Sequence, residues 1–307
     1  MNHLPFTILA YLLNAAAVTV DKFLLTRKVP DPLIYIFYFS VFSLLVLPLL
    51  PFTNMPSTST WILASISTLF WTTGAYLMFK AFQIGSVTRI VPVIGVVTPL
   101  ILLIQASFSA TITTSQFLSI VVLLSGLILL IIPDLSGKFS KKELTLEILA
   151  SLFFAISYLF LREAYLRQDF LTVLVYSRLI LIPLGLIILL IPNLRARVLT
   201  GGGPASPAGR PKLNLLSKTG FIFILGQVAG GSSELLLTFS ISLATPALVN
   251  SLQGVQFGFL FLCSLVLAKK FPDVYQESLK KAHLIYKISG LALVGIGLYF
   301  LTMEVKL

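Results

Sequence analysis

The chain has 307 residues, of which 57% are hydrophobic and only 11% are charged, and its mean hydropathy is +0.99. Soluble domains carry about 25% charged residues, so this composition excludes an ordinary water-soluble protein. The net charge of +11 is spread over short gaps between apolar segments and forms no contiguous basic face, which argues against a nucleic-acid partner.

Ten apolar segments follow one another along the chain, each long enough to cross a bilayer. A hydrocarbon core of about 30 Å needs about 20 helical residues, and strands would leave backbone groups unpaired in lipid. The sequence therefore predicts an all-α membrane protein with ten transmembrane helices. These spans, numbered 1 to 10 from here on, are predicted at residues 4–26, 32–51, 60–82, 86–108, 112–132, 145–166, 170–192, 217–243, 246–268 and 284–303.

The gaps between spans carry two further signals. Pro92 and Pro99 lie inside span 4 and predict a kink there. The longest gap, 193–216, holds three consecutive glycines at Gly201 but lacks the Lys-Ser/Thr of a phosphate-binding loop. It is predicted to be a flexible basic loop.

The basic residues are distributed unevenly between the two sides that the ten spans define. Seventeen of the 22 lie in or beside the gaps after spans 1, 3, 5, 7 and 9: Arg27, Lys28, Lys80, Arg89, Lys138, Lys141, Lys142, Arg195, Arg197, Arg210, Lys212, Lys218, Lys269, Lys270, Lys280, Lys281 and Lys287. The opposite side, with both termini, holds Arg162, Arg167 and Lys306. The positive-inside rule then predicts a multi-pass protein of the cell (plasma or inner) membrane, with odd-numbered loops cytoplasmic and both termini outside.

The two halves of the chain resemble each other weakly but in order. Residues 85–99 align with 244–258, which places Gly95 on Gly254, and the seven-residue spacing of Ser119 and Gly126 recurs at Gly290 and Gly297. Five spans per half is an odd number, so the second half would be inserted upside down. The predicted units are residues 1–136 (spans 1–5) and 137–307 (spans 6–10). Inverted repeats of this kind place a substrate site near the middle of the membrane.

Three runs carry a resemblance to a known family: residues 75–81 (AYLMFKA), 87–99, and 113–116 leading into Ser125-Gly126. Together they resemble the EamA repeat of the drug/metabolite transporter (DMT) superfamily. The resemblance implies a ten-helix basket with a central cavity that moves small organic molecules by alternating access. Better-known members of the superfamily tend to carry basic residues at both termini, which is the opposite of the distribution in this chain. The orientation predicted here follows the count of basic residues in this chain and not the usual family arrangement.

Glu234 in span 8 is the strongest candidate for a functional polar group, because a charged side chain in mid-membrane is costly. It lies about 14 Å from the end of its span, and Arg178 lies about 12 Å into span 7 from the same side. The two are predicted to form an ion pair. That pair either fixes helix packing or is a proton- or substrate-coupled carboxylate held by Arg178.

Other polar residues share faces with these groups. Gln227 lies on the same stripe of span 8 as Glu234, and Asn250, Gln253 and Gln256 fall on one face of a helical span 9. The amides of span 9 either line a cavity or form interhelical hydrogen bonds.

Three further residues complete the predicted cavity lining. Tyr76 lies on the polar face of span 3, Asn14 lies deep in span 1, and Arg89 adjoins a stripe of small residues and prolines in span 4.

The adjacent opposite charges Asp21-Lys22 and Arg162-Glu163 end the corresponding spans 1 and 6. Neighbours at i and i+1 do not face each other on a helix. Each residue is therefore predicted to find partners elsewhere, as an interfacial anchor or a gate.

The sequence predicts a secondary transporter for a small polar or amphipathic metabolite, with proton coupling through Glu234 as one mode. The alternatives are a flippase for a lipid or lipid-linked sugar, and a membrane receptor or structural protein. An enzyme is not expected, because no nucleophile with its base and no metal cluster is evident: Cys263 is alone, and His3 and His283 are far apart. No cofactor is expected. The partners would be the solute, protons and the bilayer, for a monomer or a homodimer.

Overall fold

The computed structural model is entirely helical, apart from turns and short connections, over the residues it describes: 3–27, 29, 31–85, 87–109, 111–135, 140–200, 216–267 and 281–303. Ten segments in this part of the chain are long and apolar enough to cross a membrane. They coincide with the ten predicted spans, so the prediction of a ten-helix multi-pass membrane protein is confirmed. Spans 1, 3, 4, 5, 6, 8 and 10 are single helices: Leu4–Arg27, Thr58–Ile84, Val87–Phe108, Thr114–Leu135, Lys141–Arg167, Lys218–Leu243 and Lys281–Met303.

Spans 2, 7 and 9 each consist of two pieces. Span 2 is an α-helix (Pro32–Ser43) followed by a 3₁₀ segment (Leu44–Phe52), where Pro48 and Pro51 lack the amide donors that an α-helix needs. Span 7 divides into Phe170–Leu179 and Leu181–Leu190. Span 9 divides into Pro246–Ser251 and Gly254–Leu267.

Five spans begin with a side chain that caps the helix. The capping residues Asp31, Ser57, Thr113, Asp169 and Ser217 precede spans 2, 3, 5, 7 and 8, and each accepts a hydrogen bond from a backbone N–H of the first turn. Such caps satisfy amide donors that have no partner within the helix. The N-termini of these spans are therefore fixed by the sequence.

The gap between spans 7 and 8 begins as a helix, Pro192–Thr200, where a flexible loop from 193 was predicted. Arg197 on this helix forms two hydrogen bonds of 2.7 Å to the carboxylate of Asp31 at the start of span 2. A bidentate pair of this kind fixes orientation as well as distance, which explains why the helix is held against span 2. The glycine-rich part of the predicted loop, 201–215, lies outside the described residues.

Three pairs of spans make the most extensive contacts: 1 with 8, 3 with 6, and 5 with 10. Spans 5 and 10 meet at glycines, where a methyl group on Gly126 would lie 2.8 Å from the carbonyl oxygen of Gly290. Helices that lack a hydrophobic driving force in lipid associate through this kind of close backbone packing.

The cations at the ends of spans 1 and 6 bind carbonyl groups of other spans. Lys22 is buried and donates to the carbonyl oxygens of Phe82 and Gly85, at the end of span 3. Arg162 donates to Ile241 and Ser242, at the end of span 8, at 2.8 Å each. Both cations therefore satisfy last-turn carbonyls that have no partner in their own helix.

Candidate functional site

A cavity of about 120 Å³ lies within the bundle, lined by residues of spans 1, 2, 3, 4, 6, 8 and 9. Both halves of the chain contribute to its wall. Span 2 contributes Tyr35, Ile36 and Phe39 to this wall.

Spans 1 and 8 run antiparallel and form one wall of the cavity. Gly226 lies against Val20 and Asp21, and Gly230 lies against Ala17. Further along, the hydroxyl of Ser233 donates to the carbonyl of Ala10 at 2.8 Å. The absence of side chains at the two glycines lets the spans approach closely, so that polar groups on both face the same space.

Glu234 borders the cavity from span 8, as predicted, and is only 8% exposed. Its carboxylate interacts electrostatically with Arg178 and with Tyr11 and Tyr158. Among the described residues, however, no ion pair within 4.0 Å joins it to Arg178. The two groups are close enough to interact, but the predicted direct pair is wrong. The guanidinium instead lies 5.8 Å from the ring centre of Phe39, a distance typical of cation–π contacts.

Asp21 is a second carboxylate in the cavity wall, 6% exposed, where an interfacial anchor or gate was predicted. Its Oδ1 atom is fully buried and has no hydrogen-bond partner. Asp21 lies beside Gly226, eight residues from Glu234 along span 8, which corresponds to about 12 Å along the axis. The two carboxylates therefore lie towards opposite ends of the cavity. The sequence does contain a signal for this position: Asp21 follows Asn14 by seven residues, a spacing that places both side chains on the same face of a helix.

The amides of span 9 both line the cavity and form hydrogen bonds, so the two alternatives hold together. Gln253 donates to the Oε1 atom of Gln256 at 3.2 Å, and Asn14 of span 1 donates to the same atom at 3.4 Å. Asn250 donates to the carbonyl of Pro246 at 2.9 Å. The Nε2 atom of Gln256 is buried without a partner. The helix is interrupted between Ser251 and Gly254, so the predicted single helical face across this region is wrong.

Aromatic rings form much of the remaining wall. Tyr35 and Phe79 lie with ring centres 5.0 Å apart, next to the Asp21 end. Phe39 stacks on Trp71 at 4.6 Å, and Trp71 in turn interacts with Glu234. The cavity thus combines carboxylate, amide and aromatic groups.

The remaining predicted cavity residues have different outcomes. Gln227 borders the cavity, whereas Tyr76 is not among its lining residues and lies 4.7 Å beneath the ammonium of Lys80. Span 3 faces the cavity with Trp71, Ala75, Met78 and Phe79. Tyr76 follows the lining residue Ala75 by one position, so its side chain is rotated by about 100° around the helix from the face that lines the cavity. The side chain of Arg89 lies outside the described residues.

Three other charged residues are buried outside the cavity lining: Glu143 and Glu147 of span 6 and Lys287 of span 10. Sequence reasoning missed all three. The i, i+4 spacing of the two glutamates places them on one face of a helix, but the predicted span 6 began at residue 145 and so left Glu143 outside it. Within the described part of the chain, no group of three or more His, Cys, Asp and Glu residues is placed to hold a metal ion.

Comparison with known proteins supports the fold alone. No protein-family model and no curated protein sequence matches the chain. Among solved structures, one crystal structure of a protein superposes with a TM-score of 0.60 over 96% of this chain and 96% of that chain, at 13% sequence identity. The likeness extends over nearly the whole bundle, so this helix arrangement exists in a protein with very different side chains.

Proposed function

We propose that this chain is a secondary transporter that moves a small polar or amphipathic solute across the membrane by alternating access. The observation that carries the proposal is the internal cavity, whose wall holds two buried carboxylates and five amides. A charged group in the membrane interior costs about 2.5 kcal/mol or more. A protein that only packs helices has no need to retain two such groups around an empty space.

Helix pairing supports the further proposal that the fold is an inverted repeat. If spans 1–5 correspond to spans 6–10, the contact of span 1 with span 8 corresponds to that of span 6 with span 3. The contact of span 5 with span 10 corresponds to itself, because the two spans exchange places under this relation. These three pairs are the most extensive in the bundle.

The helix caps support the same relation. Lys22 of span 1 binds the end of span 3, and its counterpart Arg162 of span 6 binds the end of span 8. Asp31 caps span 2, and Asp169 caps span 7. Equivalent interactions thus recur on opposite sides of the bundle, as an inverted repeat requires. Membership of the EamA-type transporters remains a proposal that rests on this arrangement and on the residue resemblance.

Asp31 and Arg197 lie on the side of the odd-numbered loops, which we assign to the cytoplasm. Their bidentate hydrogen bonds raise the pKa of Arg197, so this pair does not open through loss of the arginine charge. Tyr76 also interacts with Arg197, which links spans 2 and 3 to the helix after span 7. In an alternating-access cycle, this cluster would hold the cytoplasmic side closed.

The size of the cavity favours a small solute over the flippase alternative. A lipid-linked sugar is many times larger than the 120 Å³ available. Typical ligand sites are about 300 Å³ or more, so the solute would fill this space closely or the cavity would widen during the cycle.

The proposal is tested by solute-driven flux in proteoliposomes. Liposomes loaded with a pH-sensitive dye are challenged with metabolite pools, and the solute retained after washing is measured by mass spectrometry. We expect at least one pool to enter, and proton movement with that pool would identify proton coupling. Because Glu234 borders the cavity, Glu234→Gln should reduce entry at least about tenfold.

Glu163→Gln is the matched control, since Glu163 is 46% exposed and pairs with Arg167 on the same span. It should transport like the wild type. Absence of entry for every pool into liposomes that hold folded wild-type protein would contradict transport and favour a receptor or structural role. Equal transport by Glu234→Gln and wild type would remove Glu234 from the mechanism.

A further inference from the structure

We propose that the solute is a compact organic cation, an amine or quaternary ammonium with an apolar body, and that Asp21 binds its charged nitrogen. This proposal rests on the transport function proposed above and names the substrate class of the same cavity.

The charge balance of the cavity wall is the first argument. Asp21 and Glu234 both line the cavity, and no Lys, Arg or His among the described residues lines it with them. Arg178 lies behind the wall and offsets Glu234. A buried ionised carboxylate without a counter-ion is unstable in a membrane. A cationic solute would supply the missing positive charge at the Asp21 end of the cavity.

Among the residues that the structure describes, none of the neighbours identified for the Asp21 carboxylate is a cation that pairs with it. Lys22 is the next residue, but its ammonium binds the carbonyls of Phe82 and Gly85. Gly226 of span 8 lies beside the Asp21 carboxylate, and Tyr35 of span 2 interacts with it. The hydroxyl of Tyr35 donates to the carbonyl of Val29 at 3.2 Å, so it is already engaged.

Hydrogen-bond capacity gives the second argument. An ionised carboxylate is an acceptor only, and the Oδ1 atom of Asp21 is buried without a donor. Leaving such an atom unpaired costs more than a normal hydrogen bond gains. A ligand with N–H donors, or with a quaternary nitrogen in contact, satisfies both the charge and the lone pairs.

The aromatic residues at this end are suited to the same ligand. Tyr35 and Phe79 line the cavity next to Asp21. Aromatic faces attract ammonium groups, most strongly where water is excluded. The same rings also pack against the apolar body of an amphipathic cation.

The cavity volume limits the size of that body. At about 120 Å³, it is close to the roughly 150 Å³ of an engineered cavity that admits benzene. A single small ring with one ammonium group, or a small tetraalkylammonium, matches this volume. Benzylammonium is therefore the chosen probe, and benzyl alcohol is its neutral counterpart of nearly equal shape.

Trp71 provides a reporter inside the cavity. The chain has two tryptophans, and Trp61, at the start of span 3, is 44% exposed. In a Trp61→Phe background, Trp71 is the sole tryptophan. Its emission is excited selectively at wavelengths that tyrosine does not absorb and is titrated with benzylammonium, benzyl alcohol and benzoate in detergent and in nanodiscs. We expect saturable binding of benzylammonium that is about tenfold or more tighter than that of benzyl alcohol, given the strength of charged hydrogen bonds.

Asp21→Asn in the same background should abolish this preference, while Glu163→Gln should retain it. If Asp21→Asn does not fold, Phe79→Leu replaces it and should weaken benzylammonium binding more than benzyl alcohol binding. The proposal is overturned if benzylammonium and tetramethylammonium give no saturable signal. It is equally overturned if benzyl alcohol or benzoate binds as tightly, or if a folded Asp21→Asn retains the preference.

The two proposals fail separately. Asp21-dependent binding of the cation with no entry of any pool into proteoliposomes would leave the cation site standing and remove the transport function. Entry of only neutral or anionic solutes would leave transport standing and remove the cation site.

Discussion

The two carboxylates of the cavity differ in how far the protein neutralises them. Glu234 is offset by the nearby positive charge of Arg178, whereas Asp21 keeps a buried oxygen without a partner. Glu234, Gln227, Asn14 and the span 9 amides could be predicted because a polar residue in mid-span stands out against an apolar background. Asp21 was misjudged because Lys22 follows it near the end of span 1, a pattern typical of interfaces.

Gln256 joins the amide network, so its replacement tests that network. Its Oε1 atom accepts hydrogen bonds from both Asn14 and Gln253. Gln256→Leu leaves both donors in a buried space, and we expect a loss of about 1–3 kcal/mol in the free energy of unfolding. The measurement is thermal unfolding of the purified protein in detergent.

Gln105→Leu serves as control, because the side chain of Gln105 bonds to the exposed Ser109. This variant should change the free energy of unfolding by less than about 0.5 kcal/mol. Equal stabilities of the two variants would mean that the network contributes little.

At the scale of helices, span positions were predictable and their internal breaks were not. Length and hydropathy locate a span, since the bilayer sets both. The interruption of span 9 between Ser251 and Gly254 depends on what surrounds it, and it turns the three amides away from a single helical face. Which face of span 3 is turned towards the cavity also depends on the neighbouring spans. For this reason Tyr76 was predicted to line the cavity although it does not.

The contact of spans 5 and 10 yields a prediction with an internal control. A methyl group at Gly290 would lie 2.7 Å from the carbonyl oxygen of Gly126 and 2.8 Å from Leu130, whereas one at Gly295 meets nothing within 4 Å. Both glycines are on span 10, so helix propensity changes alike in Gly290→Ala and Gly295→Ala. We expect Gly290→Ala to lower the free energy of unfolding by about 1–3 kcal/mol through overpacking.

Gly295→Ala should unfold at or above the wild-type temperature. Fluorescence-detected size-exclusion chromatography after heating measures both variants in parallel. Retention of wild-type stability by Gly290→Ala would show that spans 5 and 10 are not held together at these glycines.

For the molecule as a whole, the composition and the hydropathy pattern predicted the fold class, and the ten spans are confirmed. What the sequence could not supply is which faces meet around the cavity, since that depends on how spans from the two halves pack together. Two carboxylates that are far apart in sequence, Asp21 and Glu234, border one space only because spans 1 and 8 pack antiparallel. A cavity with acidic, amide and aromatic walls, to which both halves of the chain contribute, is the arrangement that the proposed carrier function requires.

Alternating access is tested most directly by labelling a cysteine in the cavity from each side of the membrane. Gly231 lines the cavity, and a side chain there meets nothing within 4 Å, so Gly231→Cys fits without displacing a neighbour. Cys263 is the chain's single cysteine and is replaced by serine to give a clean background. Gly185→Cys, in equally open space on span 7 outside the cavity lining, is the control for a site without water, where thiols do not ionise and react.

A membrane-impermeant thiol reagent is applied to right-side-out and to inside-out vesicles. We expect Gly231→Cys to react in both preparations, because the proposed cycle opens the cavity to each side in turn, and Gly185→Cys to react in neither. Reaction of Gly231→Cys from one side only, or from neither side, would contradict a transport cycle and leave the cavity as a binding pocket or a packing void.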